Sequence, residues 1–251
     1  MSGHSKWHNR IHRKSRQDAK RGAIFSKLGR EILIAAREGG GDPVANNRLR
    51  IAIDRAREAG LPVDNVRRAI ERGSGGGDGT QYEEITYEGY GPAGVAILVE
   101  VQTDNRNRTA GDIRHIFSRN GGNLGEAGCV AWMFDKKGLL LIDRTETDLT
   151  EERALELALE AGAEDVRAEP EFFTLLTEPG DFEAVRQTLL AQNVPLAEAS
   201  LTMEPRTTVE LEGKDAEVVA KLLELLEDQD DVSNVYSNAE FADDIDEGSA
   251  N

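Results

Sequence analysis

Apolar residues in the first seventy positions recur every three or four residues, which is the period of amphipathic helices. We predict helices over 24–39, 43–60 and 64–73. Asp42 can cap the second helix and Asp64 the third, because aspartate is common at helix N-termini. Each segment carries one apolar stripe and ends at a glycine. The pattern therefore indicates a small bundle of three short helices with their apolar stripes inside.

The segment 73–79 reads GSGGGDG and interrupts the helical pattern. It lacks the GxGxxG spacing of a dinucleotide-binding turn, and no Lys-Ser or Lys-Thr pair follows it as in a P-loop. We interpret the segment as a flexible linker at a domain boundary.

After the linker, predicted strands alternate with predicted helices. The first group comprises strands at 84–88 and 95–102, a helix at 109–119 and a strand at 129–134. A second group has the β-α-β-β-α-β order of the ferredoxin-like unit, over 139–142, 151–161, 165–168, 171–176, 182–192 and 197–203. The tail adds a strand at 207–211, a helix through 218–226 and a strand at 232–236, which would complete the sheet begun at Glu84.

We therefore predict an α+β fold class, in which an N-terminal three-helix domain precedes two α/β (ferredoxin-like) domains, one inserted in the other. The predicted boundaries are 1–73 for the basic arm and helical domain, 74–80 for the linker, 81–135 plus 205–240 for one α/β domain, 136–204 for the inserted domain, and 241–251 for a tail. The inserted domain and the tail are acidic.

The formal net charge of −17 hides a strong asymmetry along the chain. Residues 1–72 hold 17 Lys and Arg against 8 Asp and Glu, a net charge of +9, whereas the remainder holds 13 against 39, a net charge of −26. Such a division indicates a basic module that faces a polyanion. The acidic remainder would limit indiscriminate adhesion and offer a surface to basic protein partners, although acidic runs are also ordinary solvated faces.

Residues 2–21 are rich in Lys, Arg and His, and Trp7 and Ile11 are their only large apolar side chains. We expect this arm to be mobile without its partner and to contact phosphates when it binds nucleic acid. Trp7 could stack on a base or dock the arm on the helical bundle. A metal site at His4, His8 and His12 is disfavoured, because no Cys or carboxylate ligand lies among them and the neighbouring cations would repel a metal ion.

A second candidate site is the segment TDNRNRT at 103–109, between a predicted strand and a predicted helix. Its Asp, Asn and Thr residues suit a turn and a helix cap. Arg106 and Arg108 could strengthen an anion site at the helix N-terminus, or they could form structural ties to acidic groups.

The predicted nucleic-acid-binding residues combine the arm, the helical domain and this second segment. They are Lys6, Trp7, Arg10, His12, Arg13, Lys14, Arg16, Lys20, Arg21, Lys27, Arg48, Arg55, Arg67, Arg68, Arg106 and Arg108.

The sequence gives little support to an enzyme, a membrane protein or a secreted protein. No apolar run approaches the roughly 20 residues of a membrane span, and the N-terminus lacks a signal sequence. Cys129 cannot form an internal disulfide, and we predict that it is a buried thiol in a strand. No nucleophile, base and oxyanion donors converge, so we expect no catalytic residue, no cofactor and no metal in a cytoplasmic protein.

Several motifs in this chain are similar to those of the YebC/PmpR family. They are GHSKW at 3–7, HRK at 12–14, QDAKRG at 17–22, FSKL at 25–28, NNRLR at 46–50, LPVDNVRRAIERG at 61–73, YEGYGP at 87–92, TDNRNRT at 103–109 and GGNLG at 121–125. The resemblance implies three domains, with one α/β domain inserted in the other. Ala93 stands where a second glycine is usual in the family.

The resemblance also implies a role in gene expression, because the family contains DNA-binding transcriptional regulators and translation factors that act at the ribosome. From the residues alone, neither a helix-turn-helix recognition helix nor an aromatic RNA-recognition surface is evident. We therefore expect a non-enzymatic regulator that binds DNA through its basic N-terminal domain, with ribosomal RNA as the alternative target. Contacts with the phosphate backbone would dominate over contacts with base edges.

Overall fold

The structure, a computed structural model, describes residues 17–76 and 81–242. Within these ranges the chain forms two compact units. One unit is Ala131–Thr208, and the other consists of the described residues before and after it.

The N-terminal part of the larger unit is a helical module of α1 (Gln17–Gly39), α2 (Asn47–Glu58) and α3 (Val63–Glu71). Its buried core comprises Ile32, Ala35, Ala36, Leu49, Ala52, Ile53, Ala56, Leu61 and Val66. The three-helix prediction agrees with this arrangement, but α1 begins at Gln17 and therefore includes the last five residues of the predicted arm. Lys, Arg, Gln and Ala have high helix propensity, which a search for apolar stripes does not detect. The predicted mobility of the arm otherwise concerns residues outside the described ranges.

Asn46 holds the turn between α1 and α2. The prediction that Asp42 caps α2 is wrong, because the N-cap residue is Asn46. The buried Asn46 side chain accepts a hydrogen bond from the Leu49 amide over 3.1 Å. Its Nδ2 donates to the carbonyl oxygens of Ala35 at 2.7 Å and Gly40 at 2.8 Å. One amide side chain thus caps α2 and satisfies carbonyl groups at the end of α1.

The end of the helical module differs from the predicted linker. The N-cap position of α3 is Pro62, so the prediction that Asp64 caps this helix is wrong. Asp64 lies in the first turn, where its negative charge interacts favourably with the helix dipole. Arg72–Gly76 forms a further wide helical turn. A Cβ atom at Gly73 would lie 2.4 Å from the Leu33 carbonyl oxygen, so glycine is required for this close approach to α1. Residues 77–80 of the predicted linker lie outside the described ranges.

The remaining described chain consists of alternating strands and helices. They are β1 (Glu83–Tyr90), β2 (Ala96–Thr103), α4 (Arg106–Arg119), β3 (Asn123–Leu124), β4 (Phe134–Asp143), α5 (Glu151–Ala161), β5 (Asp165–Ala168), β6 (Phe172–Thr177), α6 (Phe182–Ala191), β7 (Glu198–Pro205), β8 (Val209–Leu211), α7 (Gly213–Asp228), β9 (Val232–Ser237) and β10 (Ala239–Phe241).

In the larger unit, β3, β1, β2 and β9 form an antiparallel sheet in that order, and β8 and β10 form a parallel pair. Alternate residues of β2, including Val99, face a core shared with α4 and α7. Phe117 of α4 and Leu222 of α7 are fully buried there. Both helices therefore cover one face of the sheet, which leaves the outer face of α4 exposed.

The smaller unit has the ferredoxin-like order, with strands β5-β6-β4-β7 in an antiparallel sheet. Thr150 caps α5, and Gly162 ends it with φ of 88°. Because this unit lies in the sequence between β3 and β8, the structure confirms the α+β fold class with one α/β domain inserted in the other.

The predicted strand at 129–134 is wrong, since turns and one short 3₁₀ turn, Ala131–Met133, precede β4. The carboxylate of Glu88 accepts hydrogen bonds from the amides of Gly128 at 2.6 Å and Val130 at 2.8 Å. These backbone groups are therefore occupied by a side chain rather than by a neighbouring strand. Cys129 is consequently in a turn and partly exposed, contrary to the prediction of a buried strand residue.

Candidate nucleic-acid interface

The structure places only part of the predicted interface. Lys6, Trp7, Arg10, His12, Arg13, Lys14 and Arg16 lie outside the described residues. Lys20 and Arg21 belong to α1. The remaining predicted residues divide into arginines that stay accessible to solvent and cations that contact acidic groups or carbonyl oxygens.

The accessible arginines flank the short connection between α2 and α3. Arg55, which is half-buried, lies in the last turn of α2 and contacts no acidic group among the described residues. Arg67 of α3 lies 3.0 Å from Asp64, with 68% of its side chain exposed. Arg68, also exposed, donates to the Asn65 side chain over 2.6 Å. Exposed pairs of this kind contribute little stability, so these guanidinium groups remain available to a phosphate.

Arg48 does not belong to this accessible set, although the sequence suggested it. Its guanidinium lies 3.0 Å from Glu31, 2.6 Å from Glu38 and 2.5 Å from Glu84 of β1. The hydrogen bond to Glu84 raises the pKa of Arg48, although burial acts in the opposite direction. The side chain is therefore neutralised, and it ties the helical module to the first strand of the sheet.

Lys27 is likewise a structural residue. Its Nζ donates to the Glu227 carbonyl oxygen over 2.5 Å, near the C-terminus of α7. Burial lowers the pKa of Lys27, although nearby acidic residues such as Asp228 act to raise it. A cation at the end of a helix stabilises the free carbonyl groups there. We therefore remove Lys27 and Arg48 from the set of phosphate-contacting residues.

The second predicted site contains a buried carboxylate that the sequence analysis missed. Asp231 is 5% exposed, and its Oδ2 accepts hydrogen bonds from Thr109 at 2.6 Å and Arg108 at 3.0 Å. Arg30 of α1 lies 3.6 Å from Oδ1 of the same group. Burial acts to raise the pKa of Asp231, but the hydrogen bonds from Thr109 and Arg108 outweigh it and lower the pKa.

This arrangement does not suit the predicted anion site. Arg108 also contacts Asp104 at 2.9 Å, so its charge is shared between two carboxylates. Beside it is an open cleft of about 400 Å³, lined by four Asp side chains and only two Arg side chains among other residues. Because the lining is net acidic, Arg108 acts as a structural tie, whereas Arg106 remains exposed at the start of α4.

Neither the thiol of Cys129 nor a metal-binding cluster marks a catalytic centre in the described residues. Burial raises the pKa of the Cys129 thiol, and the nearby charge of Glu88 adds to the effect, so the reactive thiolate is disfavoured. Within the described ranges, the structure contains no cluster of His, Cys, Asp and Glu that could hold a metal ion. None of the helices in those ranges has the length and apolar character that a membrane span requires.

Comparisons with known proteins cover nearly the whole chain. Residues 5–76 match the model of the TACO1/YebC protein N-terminal domain, and residues 82–239 match that of the TACO1/YebC second and third domain. A protein of Desulfitobacterium hafniense is 56% identical over 98% of both chains, and one of Desulforamulus reducens is 55% identical over 96% of this chain and 99% of its own. Both relatives are named "Probable transcriptional regulatory protein".

A solved structure shows the same fold. The crystal structure of a conserved hypothetical protein from Aquifex aeolicus matches with a TM-score of 0.82 at 44% identity. The match covers 91% of this chain and 93% of the Aquifex chain. The family models, the relatives and the fold agree with the resemblance found in the motifs, and the chain belongs to the TACO1/YebC family.

Proposed function

We propose that this protein is a non-enzymatic regulator of gene expression that binds nucleic acid through its basic N-terminal module. The observation that carries the proposal is the division of charge, +9 before residue 73 and −26 after it. Such a module attracts a polyanion, while the rest of the chain repels it. The names of the relatives support a regulatory role, with DNA as the first candidate target.

The proposed interface consists of the arm, Lys20 and Arg21, and the accessible arginines Arg55, Arg67 and Arg68. These residues come from the arm and from three separate helices rather than from one long exposed helix. A sequence-reading protein usually presents several polar side chains along one helix that enters the major groove. The spread of charges instead suits contacts with phosphates, which position a nucleic acid but carry little base information.

This spread favours a second candidate function, binding to structured ribosomal RNA. A folded RNA presents phosphates along a curved surface, and double-stranded RNA is recognised mostly by shape and backbone. With about six phosphate contacts, the affinity should fall on the order of a thousandfold between 50 and 200 mM salt.

The test is competition binding with the full chain at fixed salt, using a genomic fragment library, random duplex and purified ribosomes. We expect a preference of less than about thirtyfold among DNA duplexes, whereas specific DNA binding usually exceeds non-specific binding by about 10³ or more. Ribosomes should compete at least as well as DNA. One duplex retained against excess random duplex and ribosomes would exclude the RNA target and establish sequence-specific DNA binding.

The residue assignment is tested by replacing Arg55, Arg67 and Arg68 together with Gln. Affinity should fall for every nucleic acid tested, and the salt dependence should become shallower by about one unit for each arginine that binds a phosphate in the parent. Lys136, Arg153 and Arg206, changed together to Gln, provide a control with the same charge change in the smaller unit. Equal loss of affinity in both variants would show that only the total charge matters, and the proposed interface would be wrong.

A further inference from the structure

Helix α4 of the acidic part of the chain carries an unusual set of cations. Residues 106–119 include four arginines and one aspartate, although the chain after residue 72 has three acidic residues for every basic one. Arg108 is neutralised by Asp104 and Asp231. Arg106, Arg114 and Arg119 are exposed, and none of them forms an ion pair with any acidic group in the described chain.

Arginines elsewhere in the described acidic part behave differently. In the smaller unit, five arginines each lie within ion-pair distance of a carboxylate: Arg144, Arg153, Arg167, Arg186 and Arg206. An acidic chain offers many partners, and a flexible Arg side chain can reach one at little cost. Three arginines of one helix that have no acidic partner within residues 17–76 and 81–242 therefore call for an explanation other than pairing within this part of the fold.

The position of these arginines in the helix also argues against a purely structural role. Arg106 is the first residue of α4, where the helix dipole disfavours a cation. Only Arg119, in the last turn, gains from the dipole. Ile113 and Phe117 supply the fully buried face, so the arginines are not needed to pack the helix.

The strand beside α4 adds an aromatic residue to this surface. The Tyr87 hydroxyl donates to the Arg106 carbonyl oxygen over 3.4 Å. Burial raises the pKa of Tyr87, and the charges of Arg106 and Arg114 act to lower it. Tyr87 is partly exposed, so its hydroxyl group and ring are accessible beside the first turn of α4.

We propose that the exposed surface of α4, with Arg106 in its first turn and Arg114 and Arg119 on the two flanks of its exposed side, is a second contact surface for the phosphate backbone of the nucleic acid that the N-terminal module binds. This inference rests on the proposed function, because it takes the same nucleic acid as the ligand. A helix of 14 residues is about 20 Å long. Phosphates of one strand advance by about 3.4 Å along a duplex axis, so a helix of this length can follow several of them.

The first experiment replaces Arg106, Arg114 and Arg119 together with Gln in the full chain. The probes are a random 30-base-pair DNA duplex and purified ribosomes, and binding is measured from about 50 to 200 mM salt. Because the variant removes two or three phosphate contacts, affinity near 100 mM salt should fall at least about thirtyfold, and the salt slope should decrease by about two to three units. The matched control is the Lys136, Arg153 and Arg206 variant, which should change affinity by less than about threefold, because these residues belong to neither proposed contact surface.

A second pair of variants removes misfolding as an explanation. A Cβ atom at Gly111, an exposed position of α4 between the directions of Arg114 and Arg119, would meet no atom within 4 Å. Gly111→Glu should therefore fold, place a carboxylate one turn from Arg114, and weaken binding to both probes by about tenfold or more. Its isosteric control Gly111→Gln should keep the affinity within about threefold of the parent, because it adds no charge.

The outcomes separate this inference from the proposed function. If the triple variant and Gly111→Glu bind as the parent does while replacement of Arg55, Arg67 and Arg68 weakens binding, the α4 surface is not a contact and the proposed function stands. If none of these variants changes the affinity, both are wrong. A fall in affinity confined to ribosomes or to DNA identifies which nucleic acid reaches α4.

Discussion

The carboxylate of Asp231 is the buried polar centre that joins α1, α4 and β9, and its removal should loosen all three elements. It accepts hydrogen bonds from Thr109 and Arg108 and lies 3.6 Å from Arg30. Asp231→Asn removes the negative charge with almost no change of volume. It leaves the Arg30 guanidinium, with 16% of its side chain exposed, without a carboxylate at this position.

The expected cost follows from the burial of these groups. Hydrogen bonds to a charged group contribute about 1.5–3 kcal/mol each, and an uncompensated buried charge adds to the loss. The Asn side chain keeps one acceptor oxygen, so we expect a net loss of about 2–3 kcal/mol in the free energy of unfolding. Arg108 is too exposed to increase this figure.

The pH dependence gives a second and independent signature. The pKa of Asp231 is lower in the folded protein than in the unfolded chain, where it is roughly 3.9. Its stabilising effect is therefore complete above the unfolded pKa and is lost as the pH falls through the folded pKa. The difference in stability between the parent and Asp231→Asn should be constant from pH 7 to 5 and should shrink below about pH 4.

Urea unfolding followed by circular dichroism measures the free energy, and amide hydrogen exchange of α1, α4 and β9 shows where protection is lost. The control is Asp104→Asn, which removes the exposed partner of Arg108 and should have less than a third of the effect. A stability within about 0.5 kcal/mol of the parent at pH 7 would refute the central role of Asp231, because that is the usual range of surface substitutions.

Three further substitutions test separate features of the fold. Gly111→Ala should stabilise the protein by about 0.5–1 kcal/mol in urea unfolding, because Gly111 is an exposed residue in the middle of α4 with no atom near its Cβ position. A loss of stability would contradict the open space around this position. Ala93→Gly should stabilise by about 0.5 kcal/mol, since Ala93 has φ of 56° and relief of left-handed strain exceeds the added chain entropy; an unchanged urea midpoint would exclude such strain. Arg48→Met should speed amide exchange in α2 but leave nucleic-acid affinity within about twofold of the parent. The reason is that Glu31, Glu38 and Glu84 already neutralise the charge of Arg48. A large loss of affinity would show that Arg48 belongs to the interface.

The fold could be predicted from the sequence wherever local patterns determined it. Elements of the smaller unit after β4 agree with their predicted ranges within two residues, because turn and cap residues such as Thr150 and Gly162 separate them. Strand β4 begins at Phe134, five residues before the predicted range of 139–142. The segment at 129–134 has the apolar content of a strand, yet Glu88, some forty residues earlier, accepts its amide hydrogens. Apolar periodicity cannot reveal a contact of this range.

The candidate site was less predictable for the same reason. Arg48, Arg67 and Arg68 look alike in the sequence, and only the tertiary contacts of Arg48 with Glu31, Glu38 and Glu84 distinguish it from the exposed arginines. Lys27 likewise meets a carbonyl group 200 residues away.

The acidic remainder should change how affinity depends on salt, which gives a last prediction. At 0.15 M salt the Debye length is about 8 Å, so phosphates held at a basic surface are largely screened from acidic groups farther away. At 0.01 M salt it is about 30 Å, and repulsion by the −26 charge of residues 73–251 then reaches across a domain. The plot of log affinity against log salt should therefore be steep from 50 to 200 mM and flatter below about 20 mM, where repulsion offsets counterion release. Fluorescence anisotropy with a random duplex measures both ranges. A single straight line down to 10 mM would show that the acidic domains do not oppose binding, and the charge division would then serve a protein partner instead.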